Sequence, residues 1–172
     1  MEENREKSIV NKVVIVTGGS RGIGAEIVKT LANENYKVIL NYNNSKEQAE
    51  KIQQELLEQG KEIEIIKADV SKKEEAEKLI QFAINKFNKI DILINNAGIS
   101  QEGLFTDVTE EEWQKIINTN LNSVFYCNQQ ALKYMIQEQQ GCIINISSIW
   151  GETGASCEVV YSTTKGGLNL FT

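Results

Sequence analysis

Apolar and polar positions along this chain fall into two kinds of block that take turns. Short runs dominated by Val, Ile and Leu recur as "KVVIVTGG" (12–19), "YKVILNY" (36–42), "KEIEIIKADV" (61–70), "DILINNAG" (91–98) and "GCIINISS" (141–148). Each is short, β-branched and bounded by Gly, Asn or Ser, which predicts a buried strand. Between them apolar residues return at helical spacing. This predicts helices over 24–35, 45–60, 71–87 and 109–140, with a last one opening near Glu158 or Tyr161. Ser45 is placed as an N-cap and Gly60 as a stop, Ser71 opens the third helix, and Thr109 with Glu112 has the spacing of a capping box.

Strands apolar on both faces, alternating with helices, call for an α/β fold: a doubly wound parallel sheet covered by helices on both sides. No linker or repeat divides the chain, so the expectation is one domain over residues 1–172, preceded by a polar tail at 1–8. The 172 residues, 41% hydrophobic and 24% charged, suffice for a core of that kind.

Charge then narrows the function. A net charge of −6 and a pI near 4.9 leave no broad basic face for nucleic acid or anionic lipid, so any phosphate must be held locally. The opening "MEENREKS" leads into no long apolar stretch, which argues against a signal peptide or a membrane span. Cys127, Cys142 and Cys157 show no C-x-x-C spacing and the chain has no histidine, so no metal site is expected and a reducing cytoplasm is.

The local phosphate site has an obvious candidate. "TGGSRGIG" (17–24) joins the first strand to the first helix, where glycines let backbone approach a pyrophosphate and the helix N–H groups face it. Its spacing is G-x-x-x-G-x-G, and taken alone it reads equally as a tight turn. The second strand ends "LNYNNS", without the carboxylate that binds a ribose 2′-hydroxyl, while the loop offers Arg21. That pairing favours NADP(H) over NAD(H).

"TGGSRGIG", "NNAG", "NTNLNSVF", "NISS" and "YSTTK" occur in this order, and with them the chain resembles the short-chain dehydrogenase/reductase family. It is most similar there to the bacterial 3-oxoacyl-[acyl-carrier-protein] reductase group. The resemblance runs from about Asn11 to Thr172 and implies a Rossmann-like sheet of order 3-2-1-4-5-6-7, of which the last strands and the substrate lid lie beyond this sequence. It implies cofactor contacts at Gly18, Gly19, Ser20, Arg21, Gly22, Ile23 and Gly24, at Asn43 near the adenosine 2′ substituent, at Asp69 and Val70 beside the adenine, and at Asn96, Ala97 and Gly98. Asn120, Ser148, Tyr161 and Lys165 match the catalytic tetrad, with Tyr161 and Lys165 also touching the cofactor.

The tetrad is sensible chemistry. Ketone reduction needs a hydride on carbon and a proton on oxygen. A phenol ordinarily titrates near 10, and a cation one helical turn away helps it share that proton. Ser148 would steady the substrate oxygen, and Asn120 would anchor a water that returns protons through Lys165. A lone Y-x-x-x-K is otherwise a surface pair, Asp69 equally suits a cap for the helix after Ser71, and Trp150 suits either a pocket wall or loop packing. Cys157 has no cation beside it and reads as inert. The resemblance implies an NADPH-dependent ketone reductase of fatty-acid biosynthesis acting on a carrier-bound or small carbonyl compound, as a homo-dimer or tetramer. The loop "SSIWGETGASCEVVYS" also resembles elongation factor P 5-aminopentanone reductases. A reading of another class is a nucleotide-binding or association module without turnover.

Overall fold

The five apolar runs become five parallel strands: β1 (Val13–Val16), β2 (Lys37–Tyr42), β3 (Ile63–Lys67), β4 (Ile92–Asn95) and β5 (Cys142–Asn145). They are seen in a computed structural model that describes residues 11–172; the polar tail at 1–8 lies outside the described residues. Among the described residues, five α-helices connect them, α1 (Gly22–Asn33), α2 (Lys46–Glu58), α3 (Lys73–Phe87), α4 (Glu110–Ile117) and α5 (Ser123–Gln137), and two follow β5, α6 (Trp150–Thr153) and α7 (Val159–Phe171).

The sheet order is β3-β2-β1-β4-β5, as expected for the strands present. The register pairs Val14 with Val38 on one side and with Ile92 on the other. The chain therefore leaves β1 in opposite directions, and the crevice at the C-terminal ends of β1 and β4 is where such sheets hold ligands. Alternation along the central strands sends side chains to two cores. Val13, Ile15, Ile39 and Leu93 meet Leu79, Ile80 and Ala83 of α3 and Cys127, Ala131 and Met135 of α5. Val14, Val16, Val38, Leu40 and Ile94 meet Val28 and Ala32 of α1 and Ala49, Ile52 and Leu56 of α2. These strand residues are buried on both faces because helices cover both.

Three details differ from the expectation. Residues 109–140 are not one helix: a π-helical turn, Asn118–Asn122, separates α4 from α5. Ser45 occupies the N-cap position but its side chain makes no capping bond. The third helix starts at Lys73 because Asp69 Oδ1 accepts from Ser71 N at 3.2 Å and Ser71 Oγ at 2.6 Å, which holds Ser71 in the preceding turn. As the expected order implies when the last strands lie beyond this sequence, β5 is an apolar edge strand, with Ile144 41% exposed.

Candidate active site

The glycine loop is built for close backbone approach. Gly18 has φ 62° and Gly22 φ 53°, both in the left-handed region that favours glycine. A Cβ on Gly24 would collide with Gly18 O and stand 2.5 Å from Asn96 Nδ2. At Gly22 the added atom would meet nothing, so that face opens into the crevice. Arg21 is the N-cap of α1, yet no side chain caps the helix and no acidic residue occupies its first turn. The free N–H groups and the positive end of the helix thus suit an anion.

Two residues that sequence reading overlooked hold this loop in place. Thr17 Oγ1 accepts from Asn96 N and Ala97 N, both at 3.0 Å, and Asn96 Nδ2 donates back to Thr17 O and Gly18 O at 3.0 and 3.1 Å. Asn41, buried near the end of β2, accepts from Gly18 N at 3.3 Å and donates to Ala68 O at 2.9 Å. It ties the phosphate loop to the end of β3. The available signal was a single amide inside the apolar run "KVILNY", since a buried amide must find partners.

Around the loop lies a cleft of about 630 Å³. Gly18, Ser20, Arg21, Gly22, Ile23, Gly24, Asn43, Asp69, Val70, Asn96, Ala97 and Gly98 all line it, so nearly every cofactor residue expected outside the tetrad is there. Gly19 is the exception: its position is filled by packing, with Leu40 and Val28 against it and its N–H donated to Asn41 O at 2.8 Å. Asn44, Ser45, Lys115 and Thr119 also line the cleft and were not predicted. The donors, the glycine cradle and the volume fit a dinucleotide. Among the described residues no group of acidic, His or Cys side chains is placed to hold a metal ion.

The tetrad positions follow on where the cleft wall reaches Ile99. The π turn directs Asn120 inward, where it is 1% exposed. Its Oδ1 accepts from Ile99 N at 2.8 Å and its Nδ2 donates to Ile99 O at 2.8 Å and Thr164 Oγ1 at 3.1 Å. Both ends of the amide are thereby engaged, so the side chain pins the loop after β4 to α7. Lys165, on α7 and buried, donates from Nζ to Ile146 O at 2.6 Å, just past β5. The same Nζ lies 5.7 Å from the centroid of the Tyr161 ring. Burial pulls the Lys165 ammonium below the usual lysine value. Ser148 stands on the loop after β5, where its Oγ accepts from Trp150 N at 3.2 Å and leaves its own proton free to donate. That bond shapes α6, a short turn sequence reading did not find. Gly151 lets it lie on α7, since a Cβ there would come 2.7 Å from the backbone carbon of Lys165.

Beside the N-terminus of α7, a smaller hollow of about 190 Å³ is lined by Glu102, Leu104, Phe105, Asp107, Glu112, Cys157, Val159 and Val160 among others. A bond from Gly103 N to Cys157 O, 2.9 Å, closes it.

Comparison with known proteins places nearly the whole described stretch in one family. A family model described as short chain dehydrogenase matches residues 12–172. The chain is 40% identical over 159 residues to the 3-oxoacyl-[acyl-carrier-protein] reductase FabG of Staphylococcus epidermidis, covering 92% of this chain and 65% of that protein. It is 37% identical over 165 residues to the 3-oxoacyl-[acyl-carrier-protein] reductase of Synechocystis sp., covering 96% and 67%. To the FabG of Chlamydia pneumoniae it is 38% identical over 165 residues, covering 96% and 66%. It thus spans about two thirds of the length of the curated relatives it matches.

Proposed function

Since this chain belongs to the short chain dehydrogenase family, we propose that it serves an NADPH-dependent reduction of a ketone in which Tyr161 gives the proton. The observation that carries this reading is the ammonium of Lys165, fixed by Ile146 O and lying 5.7 Å from the centroid of the Tyr161 ring. When bound, the nicotinamide supplies the hydride. Gly18–Gly24 would hold the phosphates, Asp69 and Val70 the adenine side, and Asn96–Gly98 the stretch towards Tyr161. Lys165 would hold ribose hydroxyls as a donor. The free proton of Ser148 suits a hydrogen bond to the carbonyl oxygen, whose growing negative charge it would steady. Both Nδ2 protons of Asn120 are engaged, so a water leading to Lys165 would donate to the second lone pair of Asn120 Oδ1 or to a carbonyl of the π turn.

For the cofactor, Arg21 is exposed and makes no ion pair among the described residues, and β2 runs into Asn43 and Asn44 without a carboxylate. Both features support a 2′-phosphate. Exposed Phe125, Leu132 and Ile136 along α5 support association with further copies. Among the described residues no helix is long and apolar enough to cross a membrane.

For the substrate, an acyl thioester on a carrier protein is the first reading, because the relatives carry that activity in their names. A second reading is a ketone on a protein-bound amine. Glu102, Asp107 and Glu112 around the smaller hollow favour a cationic neighbour over an acidic carrier. NADPH oxidation with acetoacetyl thioester tests the first: turnover that vanishes in Tyr161→Phe supports it. Oxidation with the aminoketone protein alone moves the assignment to the second. Binding of NADPH with no turnover on either leaves a nucleotide-binding module.

A further inference from the structure

The charged lining of the large cleft consists of Arg21, Asp69 and Lys115. Asp69 is already engaged, by Ser71 and by Lys72 Nζ at 3.6 Å. Arg21 lies beside Gly22, on the wall that continues into Asn43, Asn44 and Ser45. Lys115 lines the same cleft from α4, which follows β4, on the side of β1 away from β2. It is exposed and has no carboxylate within ion-pair distance among the described residues. Its acidic neighbour Glu112 is turned to the helix cap, where it accepts from Thr109 N at 3.0 Å.

We infer that Lys115 is a second cofactor-holding cation, reaching from α4 to the part of the dinucleotide that NADH and NADPH share. This rests on the dinucleotide reading above. An anionic ligand must enter a chain of net charge −6, so two free cations offset repulsion that one would face alone. Asn43 follows β2 and Lys115 lies on the helix after β4, strands that flank β1 on opposite sides, so Lys115 is set apart from the 2′ end. Lys115 should therefore strengthen both cofactors equally, whereas Arg21 should strengthen NADPH alone. The competing role is purely local: Lys115 is the basic residue in the last turn of α4, where it complements the helix dipole. That role would change melting temperature and leave cofactor affinity alone.

The test is the dissociation constant of NADPH and of NADH, read by nucleotide fluorescence at low and high salt, for the wild type, Lys115→Gln, Lys115→Arg and Arg21→Gln. At low salt Lys115→Gln should weaken both nucleotides by about twofold to fivefold, the range of an exposed charge contact. The loss should shrink as salt rises, and Lys115→Arg should restore most of it. Equal affinity of Lys115→Gln and wild type for both nucleotides at low salt overturns the inference, as does a loss confined to NADPH. A wild type that binds neither nucleotide brings down the dinucleotide reading, and this inference with it.

Discussion

Lys165 is where burial and chemistry pull against each other most directly. Its ammonium is taken out of water and given a carbonyl and an aromatic ring in exchange. Since burial lowers its folded pKa, the folded chain releases that proton sooner than the unfolded chain does. Unfolded chains then hold more protons in the window between the lowered value and the usual 10.5, so this residue makes stability rise with pH across that window. Lys165→Met should remove that slope in thermal melts at increasing pH. It should also abolish ketone reduction without unfolding the protein, because an apolar side chain fits the same buried space. Retained turnover would contradict the assigned role. Gly24 tests the other end of the cleft: Gly24→Ala places a methyl against Gly18 O and the Asn96 amide. It should weaken NADPH binding about tenfold or more by pushing the phosphate loop away from its seat, read by titration of nucleotide fluorescence. At both positions the residue type was legible in the sequence, since Gly24 and Lys165 sit in recognisable motifs. Asn41 and Thr17 were not, because their roles consist of bonds to residues far along the chain.

At the scale of single elements, α4 shows how local rules succeed and then stop. Thr109 Oγ1 accepts from Glu112 N at 3.2 Å while Glu112 Oε2 accepts from Thr109 N, completing the predicted box. The backbone bond from Thr109 holds the Glu112 carboxyl below its usual value of 4.5. Its contribution is therefore present above that value and fades as pH falls through the lowered one. Thr109→Ala should cost about 1 kcal/mol in urea denaturation near neutral pH, and Glu112→Gln, which removes the titrating carboxylate, should flatten the loss of stability in acid. The other end of α4 was not legible. Nothing in the helical periodicity of 109–140 announces a π turn, because it answers to the loop after β4. The Ile99 backbone takes both ends of the Asn120 amide, and the extra residue in the turn is what brings that amide inward.

Across the whole molecule, the sheet decides which side chains water and reagents can reach. Cys127 is fully buried between the sheet and α5, and burial pushes its thiol up to about 12. Cys142 on the edge strand and Cys157 beside the small hollow are exposed. An alkylating reagent followed by intact mass should therefore add two labels to the folded protein at neutral pH and a third only after denaturation. Rapid triple labelling of the native protein would mean that the core between β1, β4 and α5 is not packed as described. Leu93→Ala, at the centre of that core, should lower stability by about 2–5 kcal/mol in the same denaturation assay.

Strand count, the helices between strands, the parallel sheet and the position of the phosphate loop are all written in the order of residues. Those features follow from period, length and glycine placement, which are properties of neighbouring residues. Tertiary structure alone decided how Lys165 is held, where the long helix breaks, and which cations share the cleft with Arg21. In each case the deciding partner is a carbonyl, amide or wall brought close by sheet order: Ile146 for Lys165, Ile99 for Asn120, the Asn96–Ile99 stretch for Lys115. A hydrogen bond or a desolvated charge acts over a few ångströms of space, and only folding converts sequence separation into such distances.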